Sequence, residues 1–331
     1  MKWIKRIGAA VLLSGALLAL ATWISPWPGV LLIRAVFDHG ADQASAALAP
    51  RVPGGLIVQA SIAYDPADKD ALLDIYKPAS VPAGRPTIVW FHGGGFVSGR
   101  RGDVANYLKI LAGRGFAVVN VDYTIAPEAT YPTPVRQASR ALAFLAANAR
   151  RLGLGAGRFV LAGDSAGAQI AAQTAAVTTN PGYAKAVGVA PDIAADRLAG
   201  ALLFCGVYDI SRMGQGGGIL GWFVGAAKWA YSGRRDARDA AGFATMSVAP
   251  NVTAQFPPAF ITAGNADPLQ SQSVALAAAL RKRGVPVAEL FFPADHRPPL
   301  GHEYQFDLGS DAGRDALEKA VAWAKALGQG R

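Results

Sequence analysis

Cysteine is nearly missing from this chain: Cys205 stands alone among 331 residues. An internal disulfide is therefore excluded, and so is a metal site built from several cysteines. Cys205 closes the apolar run Ala201–Cys205 and reads as a small buried hydrophobe. Charge is also scarce, at 17% against 52% hydrophobic residues, which excludes a disordered polar chain. Acids are the rarer sign, 23 against 32 bases, leaving a net charge of +9. Nucleic acid is not implied as a partner. Arg100-Arg101, Arg150-Arg151, Arg234-Arg235 and Arg281-Lys282-Arg283 fall in separate elements, and no nucleic-acid motif accompanies them. The excess fits solvated helix ends and a general preference for anionic surfaces. There is no internal repeat and no recognisable metal or nucleotide site.

What the chain has first is a long apolar run. Ile7–Ile24 carries no charge, follows Lys2, Lys5 and Arg6, and ends near Trp23 and Trp27. A mean hydropathy of +0.24 agrees with a membrane-associated segment. The run predicts an N-terminal signal anchor over residues 1–28, with the folded part outside the cytoplasm on the periplasmic or extracellular side. Ala19-Leu20-Ala21 offers a cleavage site, so secretion after removal of a signal peptide competes. A buried N-terminal helix is a third reading. Ser25-Pro26-Trp27-Pro28-Gly29 breaks the helix; Val30–Phe37 then reads as a short amphipathic helix and Asp38–Gly55 as a polar linker. Residues 29–55 are thus a linker or N-terminal cap segment.

From Leu56 the pattern becomes that of an α/β domain, residues 56–331. Leu56–Ala63 and Ala71–Tyr76 predict an edge hairpin. Strands expected at Thr87–Phe91, Phe116–Val121, Arg158–Ala162, Leu202–Cys205, Ala259–Ala263 and Val287–Phe292 alternate with helices. The helices are expected at Asp103–Gly113 (capped by Asp103), Val135–Leu152, Ala166–Val177, Ser271–Arg283 and Ala312–Leu327. Such alternation argues for a mainly parallel sheet with helices on both faces. It stops between residues 206 and 258, where Gly214–Gly218, Trp222, Phe223, Trp229 and Tyr231 suggest a small cap over the strand C-terminal ends. Phe96, Tyr208, Trp222 and Phe223 are the candidate substrate-binding residues.

Two stretches carry chemistry. Gly163-Asp164-Ser165-Ala166-Gly167 lies between a strand and an Ala-rich helix, the setting in which a G-x-S-x-G serine is held exposed on a sharp turn. Upstream, His92-Gly93-Gly94-Gly95 follows a buried strand and bares backbone amides. Gly93, Gly94 and Ala166 are the candidate oxyanion donors. A serine nucleophile needs a base and an orienting carboxylate, in the order Ser, Asp/Glu, His along this kind of chain. His302 lies just before the last helix and is the preferred base, with His296 second. Asp267 follows the strand Ala259–Ala263; Asp209 comes one strand early and Asp295 stands too near the histidine in sequence.

With Asp122–Glu128 and Asp267-Pro268-Leu269, these motifs resemble, in order, the hormone-sensitive-lipase-like esterases of the α/β-hydrolase superfamily. The resemblance covers Leu56 to Leu327. It implies an α/β-hydrolase fold and a cofactor-free serine carboxylic ester hydrolase, with Ser165, Asp267 and His302 as a triad. It further implies that Asp164 and Glu128 support the elbow and that residues 30–55 contribute to the cap. A short- to medium-chain ester is the expected substrate. An amidase of arylformamidase type on the same triad is the alternative, and a non-catalytic binding module a more distant one. The chain departs from the group at His302-Glu303-Tyr304, where His-Gly-Phe is common, and in the longer loop Asp295–Pro299.

Overall fold

The computed structural model describes residues 2–155, 157–213 and 217–328. Eight strands form one sheet: β1 (Ile57–Ala63), β2 (Leu72–Lys77), β3 (Thr87–Phe91), β4 (Val118–Val121), β5 (Phe159–Asp164), β6 (Leu198–Phe204), β7 (Ala259–Ala263) and β8 (Val287–Phe291). Their spatial order is β1-β2-β4-β3-β5-β6-β7-β8. β2 runs antiparallel to both β1 and β4, and the remaining pairs are parallel. Every residue of β3 through β7 is buried, which is why these strands read as unbroken apolar runs instead of alternating ones. Within β3, Ile88 and Trp90 pack on one face of the sheet, Val89 and Phe91 on the other.

The helices that cover these faces follow from 3.6-residue patterning. In chain order they are α1 (Lys2–Ile24), α2 (Trp27–Leu48), α3 (Arg101–Ala112), α4 (Thr133–Leu152), α5 (Ser165–Thr179), α6 (Pro181–Val187), α7 (Gly218–Ser232), α8 (Gln270–Lys282) and α9 (Asp311–Ala326). α3 and α9 pack on the Trp90 face, α4, α5 and α8 on the Val89 face. Asp103 falls inside the first turn of α3, not before it; its carboxylate accepts the Arg100 N–H at 3.1 Å and so still serves the helix start. Asn180, which accepts the Tyr183 amide at 3.1 Å, caps α6, a helix the sequence pattern did not reveal.

Two segments differ from their sequence reading. The presumed linker after Phe37 continues α2 as helix to Leu48. Its alanines sustain the helix, while Asp42 pairs with Arg100 (2.6 Å) and Asp38 accepts the Ser98 hydroxyl (3.1 Å). Polarity there marks a helix face laid against the domain. The 206–258 insertion is α7 plus short 3₁₀ turns at Ile210–Arg212, Ala237–Asp239, Phe243–Met246 and Ala249–Asn251. Of the glycine run expected in it, residues 214–216 lie outside the described residues. Among the described residues no single helix is long and apolar enough to cross a membrane. Leu13–Ile24 and Trp27–Arg51 pass that test only together, across a bend of 93°.

Candidate active site

β5 delivers the chain to Ser165, whose φ of +49° lies in the left-handed region that non-glycine residues avoid. Glycines on either side make that turn possible. A Cβ on Gly167 would stand 2.0 Å from the Phe91 carbonyl oxygen, and one on Gly163 2.5 Å from the Gly167 carbonyl carbon. Strand and helix therefore meet backbone to backbone, with Ser165 at the start of α5. The adjacent Ala166 amide belongs to the first helical turn, which lacks intrahelical acceptors and carries the positive end of the helix dipole.

His302 Nε2 lies 3.0 Å from Ser165 Oγ, and Nδ1 lies 2.9 Å from Asp267 Oδ2. The Asp267 side chain is fully buried, and its second oxygen accepts the Leu269 amide at 2.7 Å. One carboxylate thus fixes the imidazole and the turn that starts α8. The two loops are laced together: Asn265 Oδ1 accepts the Leu300 amide (2.9 Å) and Ala266 N–H donates to the Leu300 carbonyl (2.9 Å). His296, the second candidate base, instead tilts against Phe292 at 4.8 Å. Asp209 serves Ser211 and Ser247. Burial works against the His302 imidazolium, but the Cys205 sulfur, the Asp267 hydrogen bond and the Glu303 carboxylate together hold its pKa well above the ordinary histidine value.

Two residues near the serine form a pair that only the structure reveals. Asp164 is buried, accepts the Trp90 indole N–H at 2.8 Å, and shares a hydrogen bond with Glu303. Burial and the Glu303 charge push its pKa well above the carboxylate range. Glu303 sits at φ +60°, where the related His-Gly-Phe sequence carries glycine, and its Oε1 lies 3.8 Å from His302 Nε2. The His-Glu departure was the available signal. Glu303→Gln is expected to shift the acidic limb of the kcat/KM–pH profile to lower pH. His302 must be neutral to accept a proton, and losing the nearby negative charge eases its deprotonation. Burial, the larger cause of the raised Asp164 pKa, remains in the variant. An unmoved limb, measured on a soluble ester, would show that the charge is not felt at His302.

The glycine loop corrects one expectation. The Gly93 amide hydrogen-bonds the Asp164 carboxyl, and so faces the buried acid instead of the serine. Gly94 and Gly95, at φ +110° and +60°, have amides with no intramolecular acceptor among the described residues, as Ala166 does. Gly95 was not singled out from the sequence. His92 is a brace: its Nδ1 is 2.8 Å from the Gly93 carbonyl, and its ring stacks on Tyr123 at 4.4 Å. The Tyr123 hydroxyl donates to the His92 carbonyl at 2.7 Å.

Above the serine opens a cavity of about 1110 Å³, roofed by α2 and α7. Phe96, Trp222 and Phe223 line it as expected, whereas Tyr208 does not. Tyr208 is fully buried beneath the chain, where its hydroxyl accepts the Gly206 amide at 3.2 Å. Phe96 stacks on Tyr231 at 4.3 Å, and Phe223 meets Phe37 of α2 at 5.2 Å. Glu128 supports this roof and not the elbow. It holds Arg34 of α2 through two bonds of 2.6 and 2.8 Å, and Arg34 also donates to the Val97 and Ala126 carbonyls. Burial pushes the Glu128 carboxyl up, but the bonds from Arg34 outweigh it and leave the pKa lowered. The one cluster of metal-ligating spacing among the described residues, Cys205, Asp267 and His302, lies within the same site; Asp267 and His302 are already bonded to each other there.

A parallel sheet, a strained serine at a strand–helix turn and a Ser-His-Asp hydrogen-bond chain define an α/β-hydrolase. Comparison with known proteins agrees. A family model described as alpha/beta hydrolase fold matches residues 88–296. Esterase LipI of Mycobacterium tuberculosis is 32% identical over 222 residues, 64% of this chain and 66% of that protein. The acetyl esterase of Salmonella paratyphi B is 25% identical over 264 residues, 77% of each chain. Among solved structures, esterase B of Lactobacillus rhamnosis superposes with a TM-score of 0.77 at 23% identity, covering 91% of this chain and 96% of that one. An esterase of Pyrobaculum calidifontis gives 0.72 at 24%, covering 90% and 93%. The chain belongs to the hormone-sensitive-lipase-like family of α/β-hydrolases and is a carboxylesterase-type hydrolase.

Proposed function

We propose that this protein hydrolyses short- to medium-chain carboxylic esters through an acyl-enzyme on Ser165. His302 Nε2 removes the Ser165 proton as Oγ attacks the ester carbonyl, while Asp267 holds Nδ1–H and so the tautomer. The oxyanion settles on the amides of Ala166, Gly94 and Gly95. Collapse expels the alcohol, which takes the proton from His302. Water, activated by the same imidazole, then releases the acid. The observation that carries this reading is the unbroken Asp267–His302–Ser165 hydrogen-bond chain, at 2.9 and 3.0 Å, beside three amides with no intramolecular acceptor among the described residues. The cavity, lined by Phe96 and Phe223, supports an acyl group larger than acetyl.

The test is a series of p-nitrophenyl esters from acetate to palmitate. Turnover is expected to peak at short to medium chains; a maximum at palmitate overturns the chain-length assignment. Amides use the same machinery, and turnover confined to them would favour the amidase reading. We further propose that residues 7–24 attach the chain to a membrane, with the catalytic domain outside the cytoplasm; release after signal cleavage is the competing outcome. The uncharged run behind a basic start supports this, as do exposed Ile7, Leu13, Leu17 and Trp23 on α1.

A further inference from the structure

The mouth of the cavity is apolar on its outside as well as its inside. α2 has two apolar faces. Val30 and Ile33 are buried against the domain, whereas Leu31, Leu32 and Val36, together with Trp27, stand 40–61% exposed along the opposite stripe. Opposite it, the start of α7 exposes Ile219 (86%), Leu220 and Trp222. Leu32, Val36, Ile219, Leu220 and Trp222 also line the cavity that holds Ser165 and His302. The rim of the site is thus a contiguous exposed apolar patch, which a chain leaves open to water only at a cost of about 25 cal/mol per Å².

Three observations say what covers it. First, α1 and α2 meet at 93° just before the patch, so a helix standing along a membrane normal turns α2 into the plane of the interface. Second, the α1–α2 corner is fastened to the cap. Arg235 donates to the Trp23 carbonyl at 3.0 Å and lies over the Trp23 and Trp229 rings, and the Trp222 ring packs at Gly29. Third, basic residues stand beside the patch: Arg212 and Lys228 line the cavity and Arg235 lies over Trp23 at the α1–α2 corner, while Asp236 is paired with Arg238 (2.6 Å) and Asp42 with Arg100 (2.6 Å). Basic residues around an exposed apolar rim match an anionic lipid surface.

We propose that this rim docks on an anionic lipid bilayer, with the cavity mouth facing the acyl-chain region, so that the enzyme takes lipophilic esters dissolved in the membrane. The proposal rests on the ester-hydrolase reading for its substrate class, and it extends membrane contact from residues 7–24 to α2 and α7. Such a substrate passes from lipid into an apolar cavity without crossing water, which removes a desolvation step in both directions.

The experiment uses the full chain with vesicles of phosphatidylcholine and phosphatidylglycerol. Cys205 is buried, so Ile219→Cys can carry a polarity-sensitive fluorophore. A blue shift on vesicles that is lost when phosphatidylglycerol is omitted is the expected result. No shift, with the chain still bound to vesicles, overturns the proposal because α1 alone would then be the contact. A shift that rises with protein concentration in the absence of lipid also overturns it, assigning the rim to a second copy of the chain. Leu31→Glu, outside the cavity lining, is expected to leave hydrolysis of p-nitrophenyl butyrate in solution unchanged. It should lower hydrolysis of dioctanoylglycerol in the vesicles roughly tenfold, about the worth of one buried leucine side chain; equal rates for variant and parent on the vesicles overturn the proposal. Absence of turnover on the soluble ester counts against the ester-hydrolase reading alone, since the fluorophore still decides the surface.

Discussion

Replacing Ser165 by alanine is expected to lower kcat/KM on p-nitrophenyl butyrate by roughly 10⁵-fold and to abolish labelling by a fluorophosphonate probe. The substitution removes one oxygen and disturbs little else. Alanine fits the small space at the turn, and the Asp267–His302 contact at 2.9 Å is untouched. Some turnover above the uncatalysed rate should survive, because the Ala166, Gly94 and Gly95 amides still meet the carbonyl oxygen. His302→Ala should cost nearly as much, and Ser165→Ala with His302→Ala little more than either alone, since base and nucleophile act as one unit. His296→Ala serves as the control: its ring rests on Phe292 (4.8 Å), so activity should stay near that of the parent. Near-parent turnover in Ser165→Ala would sink the acyl-enzyme mechanism, and loss of activity in His296→Ala would reassign the base.

Why these three residues could be read from the chain at all is a matter of topology. In a parallel sheet every strand points its C-terminal end the same way, so loops after β5, β7 and β8 share one edge however far apart they lie in sequence. Ser165, Asp267 and His302 follow those strands in turn. What could not be read depends on side-chain direction and on which polar groups face the protein. A run of three glycines announces bare amides but not which one turns inward; Gly93 does, because the buried Asp164 beneath it needs a donor. Tyr208 sits in the cap insertion like Trp222, yet its ring folds under Gly206 and never reaches the cavity. Asp38, Gly40 and Asp42 look like a loop and end the helix expected at Val30–Phe37, whereas the partners of the two aspartates, Ser98 and Arg100, lie some sixty residues away. Glu303 was visible only as an oddity. Its meaning required seeing that a left-handed glutamate reaches both His302 and Asp164.

The same Gly→Ala change should act in opposite directions at two helical sites. At Gly225, in the exposed middle of α7, an added Cβ meets nothing within 4 Å. Alanine there should stabilise the protein by about 1 kcal/mol, because it restricts the unfolded chain and favours helix. At Gly167 the new Cβ would stand 2.0 Å from the Phe91 oxygen and 2.5 Å from that of His92. Both are backbone atoms at the end of β3, so no side-chain rotation relieves the clash. Either α5 or the β3 terminus must move, at a cost of roughly 3 kcal/mol or more, the upper end of overpacking penalties. Moving the β3 terminus shifts His92 and, with it, the Gly94 and Gly95 amides that follow. Gly167→Ala is therefore expected to lose both stability and catalysis: a lower urea midpoint and, in whatever protein folds, a fall in kcat greater than any change in KM. Thermal and urea unfolding of the two variants beside the parent checks the prediction. A Gly167→Ala protein as stable and as active as the parent would show that the elbow tolerates a wider strand–helix gap than these contacts allow.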